Sequence, residues 1–309
     1  SLRRRQRQMC IRDRTHIVLE GTGLSYDNDP YWATNGGVLL NGGTLTIGEA
    51  AVITKAFGNN GGAIEARDKS SVYLHSTGSV YHNQASDTGG GIYAIDNSIV
   101  ELAGTSSVSD NIGQWRVGGI YLNNSSLTVN DEAIISGNIA EHNEAGGIKA
   151  ENKSDVSISG GSIQHNTVKK CSDHGNWNSG SSGGGIYIDG GKLELNNATV
   201  SQNTATEAGG GIYAKNTDVK LSNGEVTGNE AKQGNGGGIY SENNAVEIQD
   251  SQIGGIDELG SNEENNKANR ANKGGGIYKE GGTLVLNKGT IVNNPVSYTH
   301  LTLPTTERV

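Results

Sequence analysis

Residues 200–229 read VSQNTATEAGGGIYAKNTDVKLSNGEVTGN, and the stretch opens and closes on one signature, Val200-Ser201-Gln202-Asn203 and Val226-Thr227-Gly228-Asn229. Between the two copies lie a glycine triplet, Gly209 to Gly211, and two apolar runs, Ile212-Tyr213-Ala214 and Val219-Lys220-Leu221. Alternation over three residues, bounded by Gly, Asn, Asp and Thr, is strand patterning: the outer residues of each run face one side and the middle residue the other. Val226 carries a third run. One period therefore holds three short strands separated by turn residues.

The same period runs through the rest of the chain. A Gly-Gly-apolar element recurs with its apolar anchor at Val38, Ile64, Ile92, Ile120, Ile148, Ile186, Ile212, Ile239 and Ile277, in steps of 26, 28, 28, 28, 38, 26, 27 and 38 residues. The second run returns as Val100-Glu101-Leu102, Leu127-Thr128-Val129, Leu193-Glu194-Leu195, Val246-Glu247-Ile248 and Leu284-Val285-Leu286. Val/Ile-x-x-Asn stands at Val80 to Asn83, Val108 to Asn111, Ile135 to Asn138, Ile163 to Asn166, Val200 to Asn203, Val226 to Asn229 and Ile291 to Asn294. A strand that recurs once per period pairs with its own copies, not in a hairpin. The pattern predicts an all-β fold, a right-handed parallel β-helix of about nine coils with three short strands per coil, rising about 4.8 Å per coil. Glycine pairs are expected to supply positive φ and close backbone approach at the corner before the first strand. The recurring Asn is expected to adopt the left-handed conformation and to hydrogen-bond along the stack.

Composition agrees with a solenoid and excludes other classes. The 309 residues include 48 Gly but 3 Pro and 1 Phe, without the every-third-residue spacing of collagen, and no run of 18 apolar residues occurs. A net charge of -9 argues against a nucleic-acid partner. The two ends lack the Gly/Asn bias. Arg4 to Arg14, RRQRQMCIRDR, and Val296 to Thr306, VSYTHLTLPTT, back-translate to one DNA sequence and its reverse complement, which resembles a transposon adaptor of sequencing libraries. We read 1–14 and 296–309 as translated adaptor and 15–295 as a β-helix fragment of a larger protein, any membrane attachment lying in flanking sequence. Within 15–295 the balance is 17 basic to 31 acidic residues, and Cys171 is the one thiol, so no intramolecular disulfide reports the compartment.

The motif GGAI at Gly61 to Ile64, its GGGIY variants and the Val/Ile-x-x-Asn signature resemble the GGAI and FxxN repeats of the chlamydial polymorphic outer-membrane proteins and related adhesin-like surface proteins. The resemblance covers essentially all of 15–295, with Val or Ile where that family has Phe. It implies an extracellular, cell-surface or secreted stalk of the autotransporter-passenger kind, non-catalytic, contacting a glycan or protein of a host or neighbouring cell.

The middle position of the first strand is the candidate contact surface. Tyr187, Tyr213, Tyr240 and Tyr278 fall on four successive coils, with Tyr93 and Tyr121 on two earlier ones and Lys149 between the groups. The spacing predicts an exposed aromatic ladder, able to stack against sugar rings or partner side chains. Tyrosines stacked at strand spacing also stabilise one another and the sheet. The insertion at 167–182, TVKKCSDHGNWNSGSS, brings Trp177 and His174 beside that face as a second contact candidate.

The rival reading is a polysaccharide lyase or glycoside hydrolase, with its site at the 167–182 loop or outside the fragment. Of the polygalacturonase motifs N-x-D, D-D, G-H-G and R-I-K, only Asn216-Thr217-Asp218 matches. The middle residues of the second strand, Thr46, Tyr73, Glu101, Thr128, Ser157, Glu194, Lys220, Glu247 and Val285, hold no acidic cluster. No catalytic residue, cofactor or metal is assigned. His82 and His165 occupy equivalent positions but three coils apart, about 14 Å at strand spacing, too far to share an ion.

Overall fold

A computed structural model describes residues 18–20, 36–170, 180–255 and 267–296. Its described elements are all β-strands, and every strand pair is parallel. The first strand of each coil stacks on its counterpart in register: Ile64, Ile92, Ile120, Ile148, Ile186, Ile212, Ile239 and Ile277 form one unbroken column starting at Val38. The second and third strands stack the same way, as in Val100 on Leu127 and Val108 on Ile135. The chain is a parallel β-solenoid.

The core follows from the alternation. Ile92, Ala94, Val100, Leu102 and Val108 of one coil are fully buried, and their counterparts Ile120, Leu122, Leu127, Val129 and Ile135 in the next pack directly beneath them. These two coils each bury five apolar side chains in columns that continue into their neighbours, and neither encloses a core alone.

Two details of the expected coil are corrected. A fourth strand of mostly two residues follows the Asn, as at Ile112–Gly113, Ile139–Ala140, Thr167–Val168, Thr204–Ala205 and Glu230–Ala231. These form a separate sheet whose inward residues, Ala140, Val168 and Ala205, make a small second core. Nine copies of the first strand stack, but the fourth strand recurs seven times among the described residues, so seven turns are complete.

The Asn ladder exists, with a different backbone than expected. Asn138 is buried, its Nδ2 donates to Asn166 Oδ1 at 2.9 Å and to the Val108 carbonyl at 3.0 Å, and its Oδ1 accepts from the Asn111 backbone N–H and from Asn111 Nδ2. The same set repeats from Asn83 to Asn294. The residue before each Asn of the Val/Ile-x-x-Asn signature, not the Asn, is left-handed: His82, Asp110, Gly137, His165, Gln202, Gly228 and Asn293 all have positive φ. The preceding residue makes the bend, and this aims the Asn amide into the stack, where both its donor and acceptor are used. One rung was hidden in the sequence. Asn269 follows an insertion after Ile253, yet it accepts from Asn229 and donates to Asn294. The glycine corner behaves as expected: Gly61 has φ +61°, and a Cβ on Gly90 would lie 2.5 Å from the Gly118 and Ile112 carbonyl oxygens.

Candidate functional site

The outward column of the first strand runs Leu39, Glu65, Tyr93, Tyr121, Lys149, Tyr187, Tyr213, Tyr240, Tyr278, each residue paired in register with the next. All six tyrosines expected to form the ladder are in it. Tyr93 and Tyr121 stack at 5.1 Å between ring centroids; Tyr187 on Tyr213 and Tyr213 on Tyr240 at 4.8 Å, and Tyr240 on Tyr278 at 5.3 Å, with interplanar angles of 10°, 10°, 3° and 19°. Ring spacing equals strand spacing because each ring inherits its position from the backbone beneath it.

Lys149 joins the two groups. Its Nζ lies 5.7 Å from the Tyr121 ring centroid and 5.5 Å from that of Tyr187, so a cation takes the place of the missing ring. The residue is 5 % exposed and makes ion pairs with Glu144 at 2.9 Å and Glu151 at 2.8 Å. At this depth an unpaired ammonium would be costly, and the two carboxylates offset that cost.

The ladder is less exposed than the sequence suggests. Tyr121 is buried at 5 % exposure and the other five are half-buried. Rings stacked along the solenoid axis cover one another's faces, so the surface displays ring edges and hydroxyls, not an aromatic platform. Loops leading into the first strand flank the upper part: Arg116 pairs with Asp87 at 3.2 Å, and the Trp115 ring lies 5.0 Å from that of His142.

A second outward column, two residues further along the same strand, went unnoticed in the sequence because it lies beyond the apolar run. It includes Asn123, Glu151, Asp189, Lys215, Glu242 and Glu280. Tyrosine hydroxyls donate to carboxylates one coil further on: Tyr121 to Glu151 at 2.5 Å, Tyr240 to Glu280 at 2.9 Å and Tyr213 to Glu242 at 3.5 Å. Burial first, and then these carboxylates, push the phenol of Tyr213 up to about 12 and raise those of Tyr121 and Tyr240. Burial also raises the Glu151 carboxyl, but hydrogen bonds from Lys149 and Tyr121 outweigh it and hold the group below its ordinary value.

Trp177, His174 and Cys171 lie outside the described residues. Just before that loop, Lys169 pairs with Glu141 at 3.0 Å and Lys170 with Glu207 at 3.1 Å. His82 and His165 occupy equivalent turns three coils apart. Among the described residues no group of three or more His, Cys, Asp or Glu is placed to hold a metal ion, and no helix is long and apolar enough to cross a membrane.

These features define a β-helix repeat protein with an ordered outer face of tyrosines, one lysine and carboxylates. Residues 197–215 match the Chlamydia polymorphic membrane protein (Chlamydia_PMP) repeat, a segment that takes in both Val200-x-x-Asn203 and the glycine corner with Tyr213. The chain is therefore a β-helix repeat protein resembling those repeats. Comparison with curated proteins and with solved structures returned no match.

Proposed function

We propose that the chain is part of the rigid, non-catalytic stalk of a bacterial cell-surface or secreted protein, adhesin-like and of the autotransporter-passenger kind. It makes contact with a glycan or protein of a host or neighbouring cell. The reading is carried by the unbroken register of the first strand through the solenoid, one of whose coils matches the polymorphic membrane protein repeat. The contact surface is built on the column Tyr93, Tyr121, Tyr187, Tyr213, Tyr240 and Tyr278, in which Tyr121 is buried and the other five are half-buried, so it offers hydroxyl and carboxylate edges and favours a hydrogen-bonding partner over a stacking one.

The polysaccharide-active alternative has less to support it. In the second-strand column each of Glu101, Glu194 and Glu247 has non-acidic neighbours on the coils paired with it. Carboxylates do adjoin at Glu151 with Asp189 and at Glu242 with Glu280, but Glu151, Glu242 and Glu280 accept from tyrosine hydroxyls.

The test is retention of chain-coated beads on cultured epithelial cells and on a glycan array, run beside the double variant Tyr213→Phe/Tyr240→Phe. Retention that falls in the variant supports the contact surface. Retention no better than that of an unrelated β-solenoid refutes the contact role, and release of reducing ends from a polysaccharide refutes the non-catalytic one.

A further inference from the structure

The ladder places one tyrosine pair under conditions that suit oxidation. Tyr213 and Tyr240 are the most nearly parallel of the stacked pairs, 3° apart at 4.8 Å, and both hydroxyls donate to carboxylates, Tyr213 to Glu242 and Tyr240 to Glu280. A phenol loses an electron most readily when its proton has a base within hydrogen-bond reach, since the two then leave together and no cationic ring is formed. Of the two, Tyr240 has the closer base, at 2.9 Å against 3.5 Å, while Glu242 is also shared with Lys215 at 3.3 Å.

Lys149 divides the rest of the column. Lys149 stands 5.5 Å from the Tyr187 ring and 5.7 Å from that of Tyr121, and with its charge matched by Glu144 and Glu151 it acts as a spacer between the two rings. It also separates Tyr93 and Tyr121 from the lower four rings. A radical formed in those four passes among Tyr187, Tyr213, Tyr240 and Tyr278, and Tyr213 and Tyr240 are the two whose hydroxyls donate to carboxylates.

We propose that Tyr213 and Tyr240 are a site of oxidative cross-linking, joined as dityrosine within the chain by a one-electron oxidant of the peroxidase or photochemical class. Each phenol gives one electron to the oxidant and one proton to its carboxylate, Tyr240 to Glu280 and Tyr213 to Glu242. The two tyrosyl radicals couple through ring carbons next to the oxygens, and the ring hydrogens at those carbons shift to oxygen to restore the phenols. One carbon–carbon bond forms, two electrons reduce two equivalents of oxidant, and the protein loses two hydrogens. The bond staples two coils 27 residues apart in sequence without touching the interior.

The experiment illuminates the full chain with a ruthenium tris-bipyridyl sensitiser and persulfate, then reads dityrosine fluorescence, intact mass and the linked peptides. The expected result is a monomer lighter by two hydrogens whose dominant link is Tyr213 to Tyr240. That link is lost in Tyr213→Phe and in Tyr240→Phe, which keep the stacked rings and are checked for folding by circular dichroism. Glu280→Gln removes the base but keeps the fold, and it lowers the yield. Links spread evenly over Tyr73, Tyr81 and the column, links found only between chains, or a yield indifferent to Glu280→Gln would each overturn the proposal.

Discussion

Replacing Asn138 by Ala tests whether the internal ladder holds the coils together. The change deletes four hydrogen bonds, two donated by Nδ2 to Val108 O and Asn166 Oδ1 and two accepted by Oδ1 from Asn111. A typical bond of this kind contributes about 0.5–1.5 kcal/mol net, and a buried donor left without an acceptor costs about 1–3 kcal/mol. The Asn111 backbone N–H is such a donor, in a residue with no exposure. With partial relaxation the loss is about 3–5 kcal/mol. At an m-value of about 3 kcal/mol/M the urea midpoint falls by more than about 1 M. Asn138→Asp refines the test: it keeps the acceptor, loses the donor and buries a charge, so its carboxyl has a raised pKa in the folded state. A raised acid binds its proton more tightly when folded, so this variant gains stability as the pH falls, opposite to the parent. Urea melts at neutral and acid pH decide the matter. A midpoint shift under about 0.3 M for Asn138→Ala, or no acid rescue of Asn138→Asp, would refute the ladder as the main polar tie.

Gly90→Ala forces a Cβ to 2.5 Å from two backbone carbonyl oxygens and is expected to cost about 3 kcal/mol, whereas Gly48→Ala, with nothing within 4 Å, changes stability by under about 1 kcal/mol; paired thermal melts check the contrast. Stability declines at both ends of the pH scale. Glu151 has a folded pKa below its ordinary 4.5, so the stability it contributes is present above that value and is lost as pH falls through the folded one; Tyr213 is raised from 10.0 to about 12, so its contribution is complete below pH 10 and is lost between about 10 and 12. Melting temperatures across that range, with Tyr213→Phe flattening part of the alkaline loss, provide the check.

What could be read from the sequence was whatever repeats in an apolar run. The three longer strands, the tyrosine column and its interruption at Lys149 all follow from Ile-x-Ala and Val-x-Leu alternation at a fixed period. The fourth strand escaped notice because two residues such as Thr204–Ala205 carry no measurable alternation and turn only one small side chain inward. Asn269 escaped because an insertion separates it from Ile253, so the Val/Ile-x-x-Asn spacing fails although the spatial rung is intact. Half-burial of the tyrosines could not be read from a strand pattern. It comes from neighbouring rings, since a side chain that points outward still loses exposure when identical side chains lie 4.8 Å away on either side.

In a solenoid, interior positions all solve the same problem, so they repeat, and what repeats specifies the stack alone. Chemistry that differs from coil to coil must then lie where the repeat is broken. Lys149 is one such break: a tyrosine there would make an unbroken ladder of seven coils from Tyr93 to Tyr278, but the lysine ties Glu144 and Glu151 to the column and divides the rings into two groups. A second break stands near the other end, where the inward column changes from Ala214 to Ser241 and Lys279, and the Lys279 ammonium donates to Asn244 Oδ1 at 2.9 Å and to its carbonyl at 2.7 Å. Burial lowers the pKa of Lys279. The four stacked tyrosines run from the coil after Lys149 to the coil that carries Lys279, so the outer rings stay regular across the two coils in which the inward column changes from Ala214 to Ser241 and Lys279.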